Sequence, residues 1–76
     1  MSAEGMTWAE AEAHTKTLSA VGRTAFFVRE VEGGYATKFD GQEVFGVTAF
    51  ALDSELSRLG ASPLRNLYLI RAGDWQ

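Results

Sequence analysis

Residues 24–47 read TAFFVREVEGGYATKFDGQEVFGV, and this stretch decides the fold. It concentrates aromatic and β-branched side chains (Phe26, Phe27, Val28, Val31, Tyr35, Phe39, Val44, Phe45, Val47) and is cut twice by glycine steps. Apolar runs bounded by turn residues read as strands. The first strand spans Thr24 to Glu32, with Phe26, Val28 and Glu30 on one side and Phe27, Arg29 and Val31 on the other. Gly33-Gly34 is a two-residue hairpin signal, because a type I′ turn needs positive φ at both central positions. Tyr35 to Phe39 returns, Asp40-Gly41 turns again, and Gln42 to Val47 is the third strand of a meander.

On either side of the meander the apolar period changes from two to that of a helix. Upstream, Thr7-Trp8-Ala9-Glu10 fits a capping box, in which the Thr7 hydroxyl and the Glu10 carboxylate each take a backbone N–H. The spacing predicts a helix over 8–21 with Ala11, His14, Leu18 and Val21 on one face, Trp8 a turn earlier, and Gly22 as the terminating residue. Downstream, Ala49, Leu52, Leu56 and Leu59 predict a second helix, capped by Thr48 or Asp53 and closed by Gly60. Ala61-Ser62-Pro63 is a loop. Leu67 to Ile70 is short and apolar, as suits a buried fourth strand, and Arg71 to Gln76 is a polar tail. The expected class is α+β: a two-layer sandwich in the order α-β-β-β-α-β, with a three- to four-stranded antiparallel sheet and two helices, in one domain spanning 1–76.

At 76 residues, with 46% apolar and 22% charged side chains, the composition is that of a small globular domain. With no cysteine there is neither a disulfide nor a thiolate metal site, so packing of nine aromatic residues must hold the fold. No stretch approaches the roughly 18 apolar residues that cross a bilayer, and Met1 to Gly5 lacks the basic and apolar regions of a secretory signal. A cytoplasmic location is expected, as a monomer or homodimer.

The polar residues assemble no catalytic set. His14 is the single histidine, with Glu10 one helical turn before it. A small enzyme built on that pair would still need a nucleophile or substrate contact, and a metal would need further ligands. No catalytic residue, metal or cofactor is expected. The two glycine steps lack phosphate-loop spacing and a following helix.

Net charge is −3, unevenly spread. Residues 30–55 carry Glu30, Glu32, Asp40, Glu43, Asp53 and Glu55 against Lys38 alone. Such a segment repels phosphate, which argues against direct nucleic-acid binding, and attracts basic protein surfaces. It is either a solvated surface or a docking patch, with Glu30 and Glu43 able to share an edge or face. Trp75, near the end of the tail, either folds back on the core or projects as an anchor.

Three resemblances follow from these residues. The helix–three strands–helix order from Thr7 to Gly60 resembles double-stranded RNA-binding domains, but Asp53 and Glu55 stand in the helix those domains open with lysines. That likeness implies topology and not RNA binding. Phe26-Phe27-Val28 through Glu32-Gly33-Gly34-Tyr35 to Gly46-Val47-Thr48 is similar to the strand–GGY–strand–helix layout of HicB-type antitoxins, which implies a regulator acting through a partner. The small acidic chain as a whole resembles phage and mobile-element inhibitors of the anti-CRISPR kind, a likeness of size and charge without a shared motif. It implies an inhibitor in the host cytoplasm that occupies a basic surface of a nuclease or surveillance complex and blocks nucleic-acid access. The residues expected to bind are Glu30, Glu32, Asp40 and Glu43 for charge, and Tyr35 and Trp75 for anchoring.

Overall fold

The computed structural model describes residues 5–61 and 63–75. Residues 1–4, Ser62 of the expected loop and Gln76 of the tail lie outside them. The order is α1 (Trp8–Ala20), β1 (Thr24–Val31), β2 (Gly34–Phe39), β3 (Gln42–Gly46), α2 (Ala49–Arg58) and β4 (Arg65–Ile70), followed by one 3-10 turn over Ala72–Asp74. The α+β class and the α-β-β-β-α-β order are those expected.

Both helices begin and end where local chemistry dictates. The Glu10 amide donates to Thr7 Oγ1 at 3.1 Å and the Thr7 amide to Glu10 Oε1 at 3.0 Å, completing the capping box. That backbone bond from Thr7 holds the Glu10 carboxyl below the usual carboxylate range. For α2 the cap is Thr48, whose hydroxyl accepts from the Ala51 amide; Asp53 lies inside the helix. Both helices close in the same pattern. The Arg23 amide bonds Leu18 O and the Gly22 amide bonds Ser19 O, while Ala61 bonds Leu56 O and Gly60 bonds Ser57 O. This is the Schellman motif, with Gly22 and Gly60 at the left-handed position. In the second, the usual apolar contact joins Ala61 to Leu56 inside the core.

The sheet order is β3-β2-β1-β4. The meander β1-β2-β3 is antiparallel, but β4 runs parallel to β1, from Thr24↔Arg65 to Arg29↔Ile70. The sheet is therefore mixed, where an antiparallel one was expected. The cause is α2, which carries the chain from the end of β3 back to the start of β4. A short parallel bridge, Met6↔Ile70, extends the sheet beyond β4.

The helices lie on opposite faces, giving three layers in place of the expected two. Residues paired across strands share a face. Phe26, Val28, Leu67, Leu69, Tyr35, Phe39 and Val44 form one face and pack with Leu52, Leu56 and Ala61 of the α2 region. Phe27, Tyr68 and Ile70 point the other way, where Trp8 meets Phe27 at 4.7 Å and His14 meets Tyr68 at 5.7 Å. Right-handed crossovers require this outcome. Met6-α1-β1 and β3-α2-β4 run in opposite directions along the sheet, so their helices fall on opposite sides. On α1, Ala11 is fully buried and Trp8, Thr15 and Leu18 are half-buried, whereas His14 and Val21 of the expected inner face are exposed.

The two glycine steps differ from one another. Asp40 (φ 55°) and Gly41 (φ 81°) are both left-handed, as a type I′ turn demands. In the first hairpin Val31 pairs with Gly34, so the turn residues are Glu32 and Gly33, and only Gly33 has positive φ. That is the sign pattern of a type II turn, one residue earlier than the expected Gly33-Gly34. Gly34 is required for space: a Cβ there would overlap Gly46 O of β3.

Gly46 matters more. A Cβ on it would overlap the backbone nitrogen and Cα of Leu52, because α2 rests its backbone directly on this point of β3. We expect Gly46→Ala to cost about 1–3 kcal/mol by forcing the helix off the sheet, read as a lowered midpoint in thermal or urea unfolding. Gly73→Ala, where a Cβ meets nothing within 4 Å, should leave the midpoint unchanged. Equal effects at the two sites would contradict the close approach.

Candidate interaction surface

The four expected acids do not form one patch. Glu30 is the last residue of β1 on the α2 face, one short of the strand's end at Val31; it lies directly across from Tyr35, and both share a face with the Gly46 that carries the helix. Glu32 stands exposed in the adjoining turn. Asp40 is exposed in the other hairpin turn, at the far end of the sheet. Glu43 lies on the α1 face and is ion-paired with Arg29 across Ala36. Strand parity separates Glu30 from Glu43, and the salt bridge neutralises the latter. What remains together is Glu30, Glu32 and Tyr35.

Beside that group is an apolar dimple of about 110 Å³ lined by Val28, Tyr35, Ala49, Leu52, Leu67 and Leu69. Its origin is geometric. Strands lie about 4.8 Å apart and a helix is about 10 Å across, so one helix covers about two strands. α2 packs on β3 and β2 and leaves the α2 face of β4 partly open. Leu67 and Leu69 there are only half-buried. Phe50 follows the dimple residue Ala49 and is 79% exposed. Two residues before Leu52, it sits about 200° around the helix from the buried stripe. Sequence reading missed Phe50 by following the Ala49-Leu52-Leu56-Leu59 stripe alone; its position off that stripe was the available signal. Leu59 itself is 39% exposed.

By the same geometry, α1 covers β1 and β4 and leaves the other face open over β2 and β3. A groove of about 600 Å³ runs between Phe27 and the α1 flank of Ala9, Glu12, Ala13 and Lys16. A second, of about 370 Å³, shares Phe27 and is bordered by Lys38, Trp8 and Trp75. Trp75 packs edge-to-face on Trp8 at 5.0 Å and is still 38% exposed. It therefore closes the α1 layer and also presents a rim, on the face opposite Glu30 and Tyr35. The three rings Phe27, Trp8 and Trp75 form one stack of perpendicular contacts.

Ionic chemistry elsewhere is structural. Arg58 bonds Glu55 at 2.7 Å, which lowers the Glu55 carboxyl and raises the Arg58 guanidinium. Arg65, its side chain 5% exposed, bridges β4 to α2 through Asp53 Oδ1 at 2.9 Å and Asp53 O at 2.8 Å. Among the described residues no group of three or more His, Cys, Asp or Glu side chains is placed to hold a metal. His14 is exposed and faces the Tyr68 ring. Among them too, no helix is long and apolar enough to cross a membrane.

No known protein family, curated protein or solved structure matches the chain.

Trp75→Ala should cost about 1–2 kcal/mol, because it removes an edge-to-face contact and a partly buried ring. The loss should appear in chemical unfolding together with a changed fluorescence of Trp8. A neutral result would mean that the tail does not close the α1 layer.

Proposed function

We propose that the chain is a protein-binding module that inhibits a partner by occupying a basic, partly apolar surface, and that it uses no chemistry of its own. One observation carries the reading. At one end of the sheet Glu30 and Tyr35 are cross-strand neighbours beside an apolar dimple, with Glu32 in the next turn and Phe50 79% exposed after Ala49. Large exposed aromatics beside shallow apolar pockets supply interface anchors, and acids at the rim select a basic counterpart and speed its approach. The net charge of −3 acts in the same sense. In its sharpest form the partner is a nucleic-acid-handling complex in the cytoplasm, such as a CRISPR-type nuclease, and the chain competes with nucleic acid for its basic channel.

The site is narrower than the sequence implied. Glu30, Glu32 and Tyr35 belong to it, and Phe50 joins them. Asp40, Glu43 and Trp75 lie at other ends or on the other face.

The test is capture of the partner from the native host, followed by affinity measurement on matched variants. Glu30→Lys with Glu32→Lys, and separately Phe50→Ala, should each weaken binding about tenfold or more while leaving the unfolding midpoint in place. Glu12→Lys, the same charge change on the α1 side, should bind as the parent does. Binding that survives the first two changes and is lost with the third would move the interface to the opposite face.

A further inference from the structure

The outer edge of β3 is unpaired among the described residues, since β3 is terminal in the order β3-β2-β1-β4. Proline, lysine and a β-bulge, three usual protections of such an edge, are missing from it. Gln42–Gly46 contains no proline or lysine and its pairing with β2 is continuous; its one charge, Glu43, is paired with Arg29 on the α1 face, away from the edge backbone. Phe45, 47% exposed, lies along it.

The backbone groups that face outward can be identified. Asp40-Gly41 is a two-residue turn, so Phe39 and Gln42 close it by exchanging both hydrogen bonds. Alternation then directs the N–H and C=O of Val44 toward β2, and those of Glu43 and Phe45 outward. An antiparallel strand centred on a second Val44 would set Glu43 opposite Phe45 and Phe45 opposite Glu43, with every outward group of the pair satisfied. The strand is thus complementary to itself about a two-fold axis at Val44.

The helix above is set against its counterpart by the same axis. Leu52 sits over Gly46, and α2 runs back along β3. From Gly46 to Val44 is about 6.6 Å of strand, or between four and five residues of helix at about 1.5 Å each. The axis therefore passes beside α2 at the level of residue 56, midway between Glu55 and Arg58. Asp53 and Ser57 face β4 through Arg65, so the opposite flank, Ala51, Glu55 and Arg58, faces out over the β3 edge. Two such flanks related by the axis set the intrachain Glu55–Arg58 pair of one copy against that of the other, each Glu55 beside the second copy's Arg58, so that two ion pairs join into one network.

We propose that β3 pairs with β3 of a second copy about Val44, forming a continuous eight-stranded sheet on which the two α2 helices pack side by side. The occupant of the edge is this same chain, because one symmetry operation pairs the strand edges in register and places opposite helix charges side by side. The proposal is independent of the partner-binding reading: the dimer edge is β3, and its state is measured with no partner present.

Sedimentation velocity across a dilution series tests it. The parent should reach the mass of two chains. Arg58→Glu sets like charges across the axis and should weaken the dimer about tenfold or more, and Glu55→Arg combined with Arg58→Glu should restore it. Phe45→Pro removes only an outward N–H and a ring, and should give a folded monomer by circular dichroism. A parent that stays monomeric at every concentration overturns the proposal, as does a dimer indifferent to Arg58→Glu and Phe45→Pro.

Discussion

The contact between Gly46 and the backbone of Leu52 is the constraint from which the rest of the architecture follows. It seats the first turn of α2 on the end of β3, so the helix covers β2 and β3 and delivers the chain to the far side of β1. β4 must then enter parallel to β1, and α1, whose crossover runs the other way, must lie on the opposite face. The core divides accordingly. Leu52, Leu56, Val28, Val44 and Ala61 fill one side, and Ala11, Ile70 and the Phe27–Trp8–Trp75 stack fill the other.

This arrangement also decides what stays uncovered. Two helices on opposite faces of a four-stranded sheet each hide about half a face. The open halves lie diagonally, one holding the dimple beside Glu30 and Tyr35, the other the grooves beside Phe27 and Trp75. A chain of 76 residues without disulfides has little apolar surface to spare. Phe50, Val47 and Phe45 are nevertheless exposed within six residues of one another, at the junction of β3 and α2. Such a concentration is characteristic of surfaces that meet other proteins.

Local chemistry made much of the fold legible in the sequence. The Thr7–Glu10 box, the glycines at 22 and 60, the Asp40-Gly41 turn and the alternation through Phe26 to Val31 each act within a few residues, and each is where the residue types place it. The direction of β4 and the sidedness of the helices were not legible, because both depend on the close approach at Gly46, 6 residues before Leu52 in sequence and in backbone contact with it in space. The Gly33-Gly34 step shows the same limit. One glycine serves φ and the other serves β3 packing, and a pair of identical letters conceals the difference.

The candidate site was half legible for a related reason. Charge along a chain says nothing of which face a strand residue occupies, so Glu30 and Glu43 read alike although the sheet separates them and Arg29 neutralises one. Phe50 was hidden by an otherwise regular apolar stripe. On the function proposed above, the molecule works through the Glu30–Tyr35 end of the α2 face. Amide hydrogen exchange, free and in complex with the captured partner, separates this face from the α1 face. Slowed exchange is expected over residues 30–35 and 49–51, with residues 9–16 and the segment around Trp75 unchanged. Protection confined to the α1 flank and Trp75 would contradict the claim.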